Sequence, residues 1–172
     1  QKLTLLDFPG KVACTIFTEG CNFRCPFCHN ASLVTHTGEC EGYSAEYVLE
    51  FLKKRQGIIE GVCISGGEPT LMPGLEDFAR SIKELGFAVK LDTNGTRPDI
   101  LKHLVDEGLI DYVAMDIKNS REKYALTSGV CEEYDISKIE ESASFLMSGE
   151  IDFEFRTTVV DPLHETDDFK HI

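Results

Sequence analysis

Val62-Cys63-Ile64-Ser65-Gly66-Gly67-Glu68-Pro69 is the stretch that decides the fold. A short apolar run stops at a glycine pair, the pattern of a buried strand that ends in a tight turn. Leu75, Phe78, Ala79, Ile82 and Leu85 then recur at helical spacing, and Gly86 ends that helix. Phe87–Leu91 reads as the next strand and stops at Asp92-Thr93-Asn94-Gly95. The unit is strand–helix–strand, with polar residues placed after each strand.

The same pattern extends in both directions. Upstream, Val12–Phe17 reads as a buried strand, followed by a polar, Cys-rich loop. Tyr47, Val48, Phe51 and Leu52 fall on one helical face that Gly57 ends. Downstream, Thr96 is the expected N-cap of a helix with Pro98 and Asp99 in its first turn. Its stripe is Ile100, Leu101, Leu104 and Val105, and Gly108 stops it. Tyr112–Ile117 is a fourth strand. Ser120–Tyr134 is less regular and reads as a short helix and a loop. Ile136, Ile139, Ala143 and Leu146 mark another helix before Gly149, Phe153–Val160 a fifth strand, and His164–Ile172 the opening of a further helix. Alternating strands and helices imply an α/β domain with a parallel sheet and right-handed crossovers. Five such units are too few for a closed eight-stranded barrel; an open or partial barrel and a doubly wound sheet both fit.

The chain has 172 residues and a formal net charge of −13. This length suits one domain, expected over residues 1–172, and 42% hydrophobic residues supply a core. The acidic balance argues against broad binding to nucleic acid or to an anionic membrane. No run has the apolar length of a membrane span, and with no basic segment followed by an apolar core at the start, no signal peptide is expected. It begins at Gln1 without a Met, so a trimmed start is expected. Seven cysteines, three of them crowded into Cys21–Cys28, suit metal binding in a reducing cytoplasm better than a disulfide framework.

The polar signatures all follow strands. Cys21-Asn-Phe-Arg-Cys25-Pro-Phe-Cys28 follows the first, Gly66-Gly67-Glu68-Pro69 the second, Asp92-Thr93-Asn94-Gly95 the third, and Asp116 with Lys118 closes the fourth. In parallel α/β folds the C-terminal strand ends share one rim, where ligands bind. One such motif could be turn chemistry, but four on one rim point to a site. Three close thiolates can hold three corners of a four-iron cube and leave one iron open, or form a zinc site completed by Cys40 or His29.

These residues also carry a resemblance. The C-x3-C-x2-C spacing with Phe27 before the last Cys resembles the radical S-adenosylmethionine (SAM) signature, and Gly66-Gly67-Glu68-Pro69 resembles that superfamily's GGEP motif. Cys28-His29-Asn30, Asp92-Thr93-Asn94-Gly95 and Met115-Asp116-Ile117-Lys118 look like the glycyl-radical-enzyme activating enzymes. Leu3-Thr-Leu-Leu-Asp-Phe-Pro-Gly10 and Gly20–Asn30 are most similar to anaerobic ribonucleoside-triphosphate reductase activating proteins, with pyruvate formate-lyase activating enzymes second.

The resemblance implies a partial (β/α)6-type, TIM-like barrel with five to six strands in this chain. It implies a [4Fe-4S] cluster on Cys21, Cys25 and Cys28, and SAM on the fourth iron. Phe27 is then expected against adenine, and Gly66, Gly67 and Glu68 at the amino group of SAM. Asp92, Thr93 and Asp116 are expected beside a monovalent cation, Lys118 at the SAM carboxylate, and Arg156 near the ribose. Reductive cleavage of SAM would yield a 5′-deoxyadenosyl radical that takes hydrogen from a glycine of a partner such as anaerobic ribonucleotide reductase. A flavodoxin or ferredoxin would supply the electron. No general acid or base is expected beyond the cluster and cofactor. The family's sixth strand and a further SAM-contacting His have no counterpart here, so part of the barrel is expected to be missing. The alternatives are a radical SAM enzyme acting on a small molecule, peptide or RNA, and a non-catalytic zinc module.

Other features have plainer readings. Cys14 and Cys63 sit in apolar strands as buried small hydrophobes, and Cys40 and Cys131 read as incidental thiols. His29 could cap the loop or touch the cluster. His36, His103, His164 and His171 read as surface residues, and Glu132-Glu133 and Glu140-Glu141 as solvated faces.

Overall fold

The computed structural model describes residues 1–35, 38 and 42–172. His36 and Cys40 lie outside the described residues. Five parallel strands, β1 (Ala13–Thr18), β2 (Gly61–Gly66), β3 (Ala88–Thr93), β4 (Tyr112–Asp116) and β5 (Asp152–Arg156), pair in sequence order. The helices between them are α1 (Ala31–Thr35), α2 (Ala45–Lys53), α3 (Leu75–Glu84), α4 (Pro98–Asp106), α5 (Tyr124–Ser128) and α6 (Ser137–Met147). Sequential order with crossovers of one hand puts the helices on one face of the sheet. A doubly wound sheet needs a reversal of strand order, so that alternative falls. The sheet does not close: β1 and β5 are its edges.

Strand alternation then sorts the side chains. Val62, Ile64, Val89, Leu91, Val113 and Met115 face the helices and are buried with Leu52, Phe78, Ile82, Leu101, Leu104 and Leu146. The intervening residues, Cys63, Lys90, Asp92, Asp116, Glu154 and Arg156, turn to the other face. This second face is polar, unlike the two apolar faces of a typical parallel sheet. Phe8 closes its lower end: the ring is buried 6.1 Å from that of Tyr112, and a Cβ on Gly61 would meet it at 2.8 Å. The N-terminal segment pairs antiparallel with β1 at Thr4–Ala13.

Several local expectations change. Arg97, not Thr96, precedes α4, and Thr96 is buried in a side-chain network described below. The fifth strand ends at Arg156, and residues beyond His164 form turns and a short 3-10 turn at Asp168–Lys170 instead of an α-helix. His164 is buried, with Nε2 2.8 Å from the Lys118 carbonyl, so the surface reading is corrected. The helix α1 was not anticipated; Ala31–Thr35 is too short to show a period. Cys14 and Cys63 are buried and Cys131 is exposed. Among the described residues no helix is long and apolar enough to cross a membrane.

Leu146 is fully buried on α6, which packs beside α4. Leu146→Ala is expected to lower the unfolding free energy by about 2–5 kcal/mol, read by denaturant titration.

Candidate cofactor site

A cavity of about 830 Å³ opens at the C-terminal strand ends. Cys21, Cys25, Cys28, Phe27, Gly66, Gly67, Glu68, Asp92, Thr93, Asp116, Lys118 and Arg156 all border it, so the four rim motifs and β5 meet at one place. Asp7, Asn30 and Asn94 line it as well.

The cysteine loop is held from below by an aromatic anchor. Phe23 is buried edge-on between Tyr124 (6.3 Å) and Tyr134 (5.9 Å). The Arg24 amide donates to the Ser128 carbonyl at 2.9 Å. A Cβ on Gly129 (φ 71°) would fall 2.1 Å from the Arg24 carbonyl oxygen, so only glycine fits that contact. From the side, Asn94 Nδ2 donates to Asn22 Oδ1 (2.8 Å), Asn22 Nδ2 to Thr96 Oγ1 (2.8 Å), and Thr96 Oγ1 to Asn94 Oδ1 (2.7 Å). Cys21 Sγ accepts from the Phe23 amide at 3.4 Å and faces Asn94 Nδ2 at 3.9 Å. The Asp92–Gly95 turn is thereby an anchor for the cysteine loop.

The glycine pair makes the third support. The Gly67 amide donates to the Thr18 carbonyl (2.9 Å) and the Glu68 amide to that of Gly20 (2.7 Å). A Cβ on Gly66 (φ 117°) would lie 2.3 Å from the Thr18 nitrogen, and one on Gly67 2.0 Å from the Gly20 oxygen. Glu68 is 1% exposed. Its carboxylate accepts from the Thr70 amide (3.1 Å), Thr70 Oγ1 (2.5 Å), Thr93 Oγ1 (2.8 Å) and the Asn94 amide (2.7 Å). Burial raises its pKa, against the pull of these donors. Glu68 thus ties the ends of β2 and β3 together, and Thr93 is spent on it.

Asp92 and Asp116 are paired with cations of the chain itself. Asp92 Oδ1 meets Lys90 Nζ at 2.5 Å and Oδ2 meets Arg156 Nη1 at 3.3 Å. Asp116 Oδ1 meets Arg156 Nε at 3.3 Å and Oδ2 meets Lys118 Nζ at 2.8 Å. Lys90 was missed by sequence reasoning; its only signal is a lysine inside an apolar strand. Burial depresses the Lys118 pKa, but Asp116 and the Cys25 and Cys21 sulfurs outweigh this and raise it overall.

The comparisons with known proteins agree with this geometry. The family model of the radical SAM superfamily matches residues 15–161. The chain belongs to the radical SAM superfamily. A Methanocaldococcus jannaschii protein provisionally named a glycyl-radical enzyme activating enzyme is 40% identical over 126 residues, which are 71% of this chain and 50% of that protein. The pyruvate formate-lyase-activating enzyme of Clostridium pasteurianum is 34% identical over 69% of this chain and 50% of its own length. The chain therefore spans about half the length of these relatives. Among solved structures, anSMEcpe with bound AdoMet superposes with a TM-score of 0.70 at 22% identity, over 92% of this chain and 47% of that one. Streptococcus suis SuiB bound to precursor peptide SuiA gives 0.67 at 17% identity, over 92% and 35%. These likenesses establish an open α/β sheet of the radical SAM kind.

Members of the superfamily use a [4Fe-4S] cluster and SAM, and the donor set fits the cluster. The thiols of Cys21, Cys25 and Cys28 share the cavity and one another's electrostatic field. Among the described residues no three His, Cys, Asp or Glu side chains converge tightly enough for a single metal ion. Three thiols on one cavity wall can supply three corners of such a cube; Cys40, a thiol that a zinc site would call on, lies outside the described residues. Behind the loop, the buried Tyr124 hydroxyl has no hydrogen-bond partner among the described residues. The Lys118 amide faces it outside hydrogen-bond geometry, and its field includes Cys25.

Burial, first, and mutual repulsion raise the Cys21 and Cys25 pKa values, while Lys118 lowers both. In cluster-free protein these thiols stay protonated at neutral pH. Iodoacetamide labelling followed by mass spectrometry should therefore rise with pH beyond the ordinary thiol range, and Lys118→Met should slow it further. Gly67→Ala places a methyl against the Gly20 carbonyl and is expected to cost about 1–3 kcal/mol in denaturant unfolding.

Proposed function

We propose that this chain is the cluster- and SAM-binding part of a glycyl-radical enzyme activating enzyme. The observation that carries the reading is the meeting of the cysteine loop, the glycine pair and the Asp116–Lys118 segment around one cavity. The similarity to two activating-enzyme relatives supports the activase class.

In this reading Cys21, Cys25 and Cys28 hold the cluster. Phe27, half-buried at the cavity wall, offers a face for the adenine. The Gly67 and Glu68 amides are turned toward Thr18 and Gly20. The Gly66 carbonyl at the strand end accepts from Asn30 Nδ2 at 3.1 Å, which places an acceptor oxygen of the kind an ammonium group needs at the cavity edge. Glu68 supports that backbone from beneath. Lys118 takes the SAM carboxylate, a charge-assisted contact, and Arg156 lies at the ribose side. A cluster held by these cysteines would supply the one-electron reduction that cleaves bound SAM to methionine and a 5′-deoxyadenosyl group able to take hydrogen from a glycine. The chain's residues bind and orient; none is assigned as acid or base. The partner in this reading is a glycyl radical enzyme such as anaerobic ribonucleotide reductase, with a flavodoxin or ferredoxin as donor, and the setting is the reducing cytoplasm.

Anaerobic reconstitution with iron and sulfide, reduction by dithionite and addition of SAM should release 5′-deoxyadenosine and methionine, and Cys28→Ala should abolish both. Intact SAM in a cluster-loaded, reduced sample would overturn the reading. Co-incubation with a glycyl enzyme should give that enzyme's glycyl radical by electron paramagnetic resonance; SAM cleavage with radical-free partners would favour a small-molecule, peptide or RNA substrate instead.

A further inference from the structure

We propose that Lys90 is a built-in countercharge that, with Arg156, takes the place of a monovalent cation beside Asp92 and Asp116, so that this site works without one. Lys90 lies in the middle of β3 on the polar face of the sheet and is 0% exposed. Its ammonium group contacts Asp92 Oδ1 at 2.5 Å, stands 3.6 Å from Glu154 Oε1 and sits 5.9 Å above the Tyr112 ring. Each carboxylate oxygen of Asp92 and Asp116 already has a nitrogen cation on it: Lys90 and Arg156 on Asp92, Arg156 and Lys118 on Asp116.

Two consequences follow from that inventory. The first is charge. Asp92, Asp116 and Glu154 carry three negative charges and Lys90, Lys118 and Arg156 three positive ones, so these six groups balance one another; Asp7, also at the cavity, is held by the Thr15 hydroxyl. An added cation would have to displace one of these nitrogens from its carboxylate. The second is space. The Arg156 guanidinium spans both aspartates, the position an ion between them would need. Ala114, which pairs with both Asp92 and Glu154 across β4, keeps the gap between these chains narrow and free of a competing side chain. Arg156 is part-exposed, whereas Lys90 is enclosed. Lys90 is thus a positioning residue: it fixes Asp92 and holds the charge constant.

The SAM-binding half of the test rests on the reading above; the melting half does not. Cluster-free chain is melted in sodium, potassium and choline chloride at equal ionic strength. The wild type is expected to melt at one temperature in all three. Lys90→Met is expected to melt higher in sodium or potassium than in choline, because the vacated position then gains a ligand. The double variant Lys90→Met, Asp92→Asn removes both charges and is expected to lose that salt preference. Wild type that melts higher in sodium or potassium, or a folded Lys90→Met that melts alike in all salts, overturns the proposal. Should Lys90→Met not fold, the wild-type comparison decides alone. On cluster-loaded chain, SAM affinity by equilibrium dialysis should agree within about twofold across the salts, whereas a loss of about tenfold in choline overturns the proposal. Failure to bind SAM in every salt would bring down the SAM reading and leave the melting comparison to decide this one.

Discussion

Ionisable groups buried on one face of a parallel sheet set the terms for the rest of this molecule. Charge removed from water is costly unless an opposite charge stands beside it. The helix-facing side chains meet that condition trivially by being apolar. The opposite face meets it by alternation: Lys90 against Asp92, Arg156 across Asp92 and Asp116, Lys118 against Asp116. The thiols of Cys21 and Cys25 add to the same balance, since Lys118 lies within their field. Without the aspartates Lys118 would have less reason to stay charged and poised; without Lys118 the cysteines would be harder to ionise. Fold and chemistry meet in this one set of pairs.

The hydrogen-bond links among the rim motifs give that balance its rigidity. Glu68 joins the ends of β2 and β3, and Asn94 joins the second of these to the cysteine loop. Gly66 and Gly67 let the backbone of β2 lie against that of β1 closer than any side chain allows. The motifs that look like independent signatures in the sequence are mechanically one object. Each holds the next, and the cysteine loop is the last member of the series.

Much of this was legible because period and punctuation agree. The strands of Val62–Ser65 and Tyr112–Ile117, and the helix from Leu75 to Leu85, were readable from apolar spacing bounded by glycine, and the structure places β2, β4 and α3 there. The cavity residues were readable because chemistry-bearing side chains cluster after strands in such folds. What escaped reading depended on tertiary contacts. Thr96 looks like a helix cap, yet its hydroxyl is claimed by Asn22 and Asn94. His164 looks like a surface histidine, yet the Lys118 carbonyl draws it inward. Glu68 and Thr93 read as ligand contacts, and a one-dimensional pattern has no way to show that they bind each other. Lys90 is the clearest case, because an apolar strand hides which of its neighbours face the polar side.

The sheet's two margins are not equivalent. Along β1 the first residues of the chain run back in the opposite direction, and the Thr15 amide already donates to the Gln1 carbonyl at 2.9 Å. Among the described residues no strand lies outside β5, which ends the sheet on that side. Growth of the sheet is thereby polarised. Any added strand would lie alongside Glu154 and Arg156 and strip water from them, so the dielectric around the charge ladder would be set by whatever seals that flank.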